Sequence, residues 1–161
     1  MLSRGIQSAS SEQIDHDENA VSIHVRRGDY LEPKYWKTTG CVCQLPYYLN
    51  AIAEMNKRIS QPSYYVFSDD IAWVKENLPL PKAFFIDWNK GTESWQDMML
   101  MSRCRHHIIC NSTFSWWGAW LNPRENKTVI MPERWFRHCE TPDICPDKWI
   151  KVPINQPDSI Q

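Results

Sequence analysis

Glycine is scarce, with five residues in 161, and the five form neither a Gly-x-Gly-x-x-Gly nor a Walker sequence. The chain therefore does not hold phosphate in the manner of dinucleotide dehydrogenases or P-loop kinases. Long apolar runs are also missing: none approaches the roughly 18 residues of a membrane span. The Met1–Ala20 segment is polar rather than signal-like, and on these grounds the chain is expected to be cytoplasmic. Nor is there a block of Lys and Arg. With 18 basic residues against 19 acidic ones, the formal net charge is −1, which excludes nucleic acid and an anionic membrane as partners read from charge. Residues 1–20 have no apolar periodicity and are expected to form a frayed arm, leaving 21–161 as the domain.

The six cysteines are even in number, which permits disulfides without requiring them. Cys41-Val42-Cys43 is too tight for a zinc hairpin, and Cys104 and Cys110 stand in apolar surroundings where a thiol behaves as a small hydrophobe. Free thiols are expected, with Cys139 and Cys145 the pair to be bridged if the protein is exported. His106, His107 and His138 have no carboxylate at metal-ligand spacing and read as structural.

What is present is an alternation of strand and helix signals. Val21–Arg26 alternates apolar and polar residues before Gly28-Asp29, which predicts a first strand ending in a turn. Pro46 opens a helix that Pro62 stops. Tyr64–Phe67 then predicts a strand, with Ser68-Asp69-Asp70 capping a helix over Ile71–Asn77. Strand Ala83–Ile86, a helix from Ser94, strand His107–Cys110, helix Phe114–Leu121 and strand Thr128–Met131 follow, and the remainder reads as loop. Such spacing implies right-handed βαβ crossovers. The expected fold is α/β, a Rossmann-like parallel sheet with helices on both faces.

In such a sheet ligands bind at the carboxyl edge of the strands. Arg26-Arg27-Gly28-Asp29, Ser68-Asp69-Asp70, Asp87 and Asn111-Ser112-Thr113 are all delivered there. Two adjacent arginines at a strand end call for an anion, and their planar forks suit phosphate. A surface pair with Asp29 accounts for one of them but not for both. Ser112, Thr113 and Ser115 sit where a helix begins, a place that favours anions. Together these residues fit a diphosphate. His24 shares a face with Arg26 and either touches the ligand or fills the sheet. Trp116, Trp117 and Trp120 suggest a sugar platform, but their spacing favours core packing.

These residues resemble a family. His24-Val25-Arg26-Arg27-Gly28-Asp29-Tyr30 is similar to the His-x-Arg-Arg-Gly-Asp signature of α1,2-fucosyltransferases and their α1,6- and protein O-fucosyltransferase relatives. Val66–Val74 and the block Asp97–Leu121, which contains Asn111-Ser112-Thr113-Phe114-Ser115-Trp116-Trp117-Gly118-Ala119-Trp120, resemble the later motifs of glycosyltransferase family 11. The resemblance runs from Val21 to Ile150. It implies the C-terminal, donor-binding half of a two-domain GT-B enzyme, with an acceptor domain preceding it.

The implied reaction is inverting, metal-independent transfer of L-fucose from GDP-fucose to a galactoside hydroxyl. No cofactor is implied. The partners would be GDP-fucose and a galactose-containing glycan, with room for peripheral membrane association of the full-length enzyme. The alternative is a non-catalytic remnant that binds GDP or GDP-fucose.

Residue by residue, the resemblance implies that Arg26 or Arg27 neutralises the β-phosphate, with Ser112, Thr113 and Ser115 beside it and His24 and Asn111 completing the set. Because neighbouring strand residues face opposite ways, Arg26 is expected on the phosphate and Arg27 in an ion pair with Asp29 that shapes the loop. Asp97 is implied to read the guanine N1–H and N2–H fork, in competition with Asp69, Asp70 and Asp87. Asp29, Asp69 and Asp70 are expected in support. The resemblance also implies alanine at the position of Cys110 in many relatives, a small substitution that changes little. His24, Asp29 and Glu32 are candidate general bases, none singled out by its context.

Overall fold

The computed structural model describes residues 10–155. Six parallel strands form one sheet in the order β3-β2-β1-β4-β5-β6. They are β1 (Ala20–Val25), β2 (Ser63–Ser68), β3 (Ala83–Ile86), β4 (His106–Ile108), β5 (Val129–Pro132) and β6 (Ile150–Val152). Helix α1 covers 10–16. It is followed by α2 (Pro33–Tyr35), α3 (Leu45–Arg58), α4 (Ile71–Asn77), α5 (Trp95–Arg103) and α6 (Thr113–Trp120). The expected Rossmann-like architecture is observed. The chain builds outward from β1 to β3, returns, and builds outward again from β4, so that β1 and β4 lie side by side at the reversal of strand order.

Alternation along β1 divides the core. Val21, Ile23 and Val25 enter one cluster with Tyr47, Tyr48, Ala51, Ile52 and Met55 of α3 and Val74 of α4. Ala20 enters the opposite cluster with Tyr65, Phe67, Leu100 and Met101, and Ser22 and His24 share its parity along the strand. A third cluster joins Ile109, Ala119, Val129 and Met131 beneath α6. The strands thus bury both faces, as a parallel sheet requires. Helices α5 and α6 are in direct contact, and a Cβ at Gly118 would lie 3.0 Å from Met101 Cβ and Sδ, so glycine sets their separation.

Two tyrosines of α3 hold the sheet from behind. Tyr47 Oη donates to the Ile109 carbonyl, and Tyr48 Oη to the His24 carbonyl at 3.3 Å. A buried polar chain crosses the other side. Asn122 Nδ2 donates to His107 Nε2 at 2.8 Å, so the proton of this ring sits on Nδ1 and is given to Ser22 Oγ, also at 2.8 Å. Burial lowers the pKa of His107 to about 3, which keeps it neutral. All six cysteines are free thiols.

The structure departs from the sequence reading in three places. The arm expected over 1–20 is helical over 10–16 and enters β1 at Ala20, with Ile14 fully buried against the Tyr65 and Met101 cluster; residues 1–9 lie outside the described residues. A single apolar side chain gives no periodicity, but it can still fill a core position. Residues 29–40 form a succession of short helical turns, and β6 adds a strand where only loop was expected. If Ile14 anchors α1, Ile14→Ala should lower unfolding free energy by about 2–5 kcal/mol in a urea titration. A loss under about 0.5 kcal/mol would show that α1 contributes nothing to the core.

Candidate functional site

The carboxyl ends of β1, β2 and β3 open into a cleft of about 590 Å3. Its frame is one carboxylate. Asp69, just past β2, accepts the backbone N–H of Arg27 on Oδ1 at 2.8 Å and that of Gly28 on Oδ2 at 2.9 Å. A Cβ on Gly28 would lie 2.7 Å from Asp69 Oδ2, so this approach requires glycine. Ser68 Oγ donates to the Val25 carbonyl at 2.8 Å and accepts the Asp70 N–H at 2.9 Å, which locks the two strand ends together. Asp70 is the cap of α4, taking the Trp73 N–H at 3.1 Å. Asp69 is therefore a loop anchor, not a cap.

The arginines part company here. Arg26 lines the cleft and meets Asp29 in a two-point pair, Nε to Oδ1 at 2.9 Å and Nη2 to Oδ2 at 3.0 Å. Asp69 Oδ2 lies 3.6 Å from Arg26 Nε. The hydrogen bonds to Arg26 hold the Asp29 carboxyl below its ordinary range. Arg27 turns away, with Nε 3.3 Å from Asp70 Oδ2 and Cζ 4.0 Å from the centre of the Trp73 ring. Its side chain is 14% exposed against 39% for Arg26. The expected Arg27–Asp29 pair is thus corrected: Asp29 belongs to Arg26. The strand ends at Val25, Arg26 leaves on the His24 side where the next helical turn brings Asp29 back, and Arg27 points to α4.

At the other end of the cleft, Asp97 on the first turn of α5 accepts a hydrogen bond from Asn89 Nδ2 at 2.6 Å. Desolvation outweighs that bond and raises its pKa to about 6. Among the described residues Asn89 gives this carboxylate its one side-chain hydrogen bond. Asp87, Lys90 and Ser94, all in or next to the β3–α5 loop, line the same end.

His24 lies on the floor between the two ends. Burial, helped by the Arg26 charge, lowers its pKa to about 3, so it is neutral. Its ring packs on Phe114, centroids 5.6 Å apart, and Nδ1 is 3.4 Å from Cys110 Sγ.

The start of α6 differs from expectation. Asn111 is buried, and its Nδ2 donates to the carbonyls of Thr39 and Trp135, both at 2.9 Å, which ties two loops to the sheet. Ser115 Oγ donates to the carbonyls of Cys110 and Ser112, both at 3.2 Å. In the first helical turn a hydroxyl reaches its own N-terminal carbonyls more easily than solvent. Phe114 is the residue of this stretch that lines the cleft. Ser112 makes no side-chain cap bond, and Thr113 is exposed. Among the described residues no group of His, Cys, Asp or Glu could hold a metal, and no helix is long and apolar enough to cross a membrane.

Residues 4–152 match the family model of Glycosyl transferase family 11. The chain belongs to that family. It is 38% identical over 138 residues to an alpha-1,2-colitosyltransferase of Escherichia coli, covering 83% of this chain and 48% of that protein. It is 36% identical over 140 residues to the Escherichia coli O-antigen biosynthesis glycosyltransferase WbnK, covering 86% and 46%. With galactoside alpha-(1,2)-fucosyltransferase 1 of Ateles belzebuth it shares 34% identity over 111 residues, covering 66% and 30%. The chain spans about half the length of the bacterial relatives, and less of the primate one.

In this family 11 chain, Asn89, Lys90 and Phe114 are cleft residues that the sequence did not single out. The rule that placed Asp87 at the strand edge extends to the loop after it and could have found the first two. Trp116 is packed as expected, its Nε1 donating to the Ile144 carbonyl at 2.7 Å. Trp117 and Trp120 are 47% and 49% exposed, so the helix puts only one of the three tryptophans inside. The two arginines should also differ in stability. Arg27→Ala, which loses the Trp73 stack and the Asp70 pair, should cost about 1–2 kcal/mol in chemical unfolding. Arg26→Ala, which loses an exposed pair, should cost under about 1 kcal/mol.

Proposed function

We propose that this chain binds the nucleotide-sugar donor of an inverting, metal-independent α1,2-fucosyl transfer, with GDP-L-fucose as donor and a galactose-containing glycan as acceptor. The observation that carries this reading is the polarity of one cleft: a guanidinium at the β1 end and a donor-poor carboxyl at the β3 end. Guanine offers N1–H and N2–H to a carboxylate, and the diphosphate offers negative oxygens to an arginine fork. Asp29 occupies Nε and one Nη2 hydrogen of Arg26, so the guanidinium keeps further N–H donors for phosphate.

In the transfer, the bond from the fucose anomeric carbon to the β-phosphate oxygen breaks as the acceptor oxygen bonds to that carbon from the opposite face. GDP departs with the bonding electrons, and the proton of the acceptor hydroxyl passes to water. Arg26 meets the charge growing on the phosphate, a role in which one donor is typically worth about 2.7–4 kcal/mol. The relatives' names include both a colitosyl and a fucosyl enzyme. The Arg26 and Asp97 contacts are to the nucleotide and are neutral to that difference.

A second reading, a domain that holds the nucleotide without transferring sugar, draws on the weakness of the candidate bases. Asp29 is held as a poor base by Arg26, His24 has a pKa of about 3, and Glu32 does not line the cleft. Fucose transfer to a galactoside by this chain would decide for the enzyme, and binding without transfer for the alternative.

Calorimetric titration with GDP and GDP-fucose, without divalent metal, tests the proposal. Arg26→Lys should weaken GDP-fucose roughly 10- to 100-fold with the fold intact, because the ammonium lacks the fork. Asp97→Ala should weaken GDP by a similar factor but UDP by under about threefold. Equal losses for both nucleotides would refute the guanine contact, and an absolute need for magnesium or manganese would refute the metal-free site.

The pH dependence has a definite sign. Asp97 titrates at about 6 in the free protein, and guanine donors stabilise its ionised form and lower that value. Affinity should be level above about pH 7 and fall by up to about tenfold per unit as pH drops below about 6. GDP-fucose is the probe, since its diphosphate is a diester with no ionisation in this window. A flat profile between pH 5 and 8 would remove Asp97 from the site.

A further inference from the structure

Cys110 lies just past β4, at the reversal of strand order, and no step of the proposed function uses it. Its Sγ is 3.4 Å from His24 Nδ1 and 3.7 Å from Ser115 Oγ. Both Cys110 and His24 are buried. Burial pushes the thiol up to about 11, so the sulfur keeps its proton at neutral pH, and His24 is neutral for the reason already given.

A neutral imidazole has a single N–H, and the nitrogen that carries it is decided by the hydrogen bond the other nitrogen makes. Thiol sulfur is a weak acceptor, whereas the imidazole lone pair is a good one, so the contact is better made as S–H to nitrogen than as N–H to sulfur. The neighbours point the same way. The Arg26 backbone amide approaches the sulfur as a donor, and the Ser115 hydroxyl, whose proton is directed at the Cys110 and Ser112 carbonyls, is a second but more distant acceptor at 3.7 Å. Among the described residues His24 Nδ1, at 3.4 Å, is a closer acceptor for the thiol proton than Ser115 Oγ, at 3.7 Å.

We propose that Cys110 is a positioning residue: its S–H donates to His24 Nδ1, fixes the Nε2–H tautomer, and so presents an N–H donor from the cleft floor to a phosphate oxygen of the bound nucleotide. The role rests on the diphosphate reading above. The other tautomer would turn a lone pair toward an anion. In the fixed tautomer Nε2 carries a hydrogen and cannot take the acceptor's proton, so His24 is a donor and not the general base.

Nitrogen-15 NMR of histidine-labelled protein reads the tautomer without any nucleotide. The wild-type His24 should show a protonated Nε2 and a bare Nδ1. Cys110→Ala should release the ring into a mixture of tautomers, and Cys110→Ser, which keeps an O–H donor, should restore the Nε2–H form. In calorimetry, Cys110→Ala should weaken GDP-fucose roughly three- to tenfold while leaving guanosine within about twofold, and Cys110→Ser should recover most of the loss.

A protonated Nδ1 in the wild-type protein overturns the proposal even if no variant folds. An unchanged tautomer in Cys110→Ala, or equal loss of guanosine and GDP-fucose affinity, also overturns it. Failure of the wild-type chain to bind GDP at all would instead refute the nucleotide reading, with the tautomer result standing apart from it.

Discussion

Two backbone amides meeting one carboxylate hold the site together. The turn after β1 leaves the N–H groups of Arg27 and Gly28 without sheet partners, and Asp69, delivered by the neighbouring strand, accepts both. An unpaired backbone N–H at a strand end is costly, so the turn and the β2 edge are fixed relative to each other. The bond also demands glycine at position 28 and sets the direction in which each arginine leaves the strand. One guanidinium is thereby aimed into the cleft and the other onto the Trp73 ring.

The cleft that results is electrostatically graded. Arg26 keeps its charge beside two carboxylates, Asp29 and Asp69, which raise its pKa further, and at the far end Asp97 is lifted to about 6 by desolvation. The first group has its counter-charge in place and the second does not. A ligand with an anionic part and a part rich in N–H donors would satisfy both ends at once. Between them the floor is neutral, lined by His24 and Phe114 with the Cys110 thiol buried behind the imidazole.

Much of the fold was legible along the chain. β1 to β5 and helices α3 to α6 follow from apolar alternation, prolines and caps, and their ends differ from expectation by at most about two residues, the ordinary uncertainty of element boundaries. β6 was not legible because three residues, Ile150 to Val152, carry too little pattern, and its identity as a strand comes from pairing with β5. Helix α1 escaped for a related reason. Its sequence is polar except for Ile14, and only the pocket formed by Tyr65, Phe67, Leu100 and Met101 makes that residue a core position.

At the site, the sequence by itself determined which residues stand at the carboxyl edge of the sheet, because a parallel sheet sends every strand's carboxyl end to the same side. It also determined that the two arginines would be unequal, since neighbouring residues on a strand face opposite ways. Tertiary structure alone decided their partners: Asp29 went to Arg26 and Asp70 to Arg27 because the path of the turn, not the spacing of residues, sets where a guanidinium points. It likewise decided that Asn111 and Ser115 face inward while Asn89 and Phe114 face the cleft. Hydroxyl and amide groups bond to whichever carbonyl is nearest, and that distance exists only once the loops around β4 have packed.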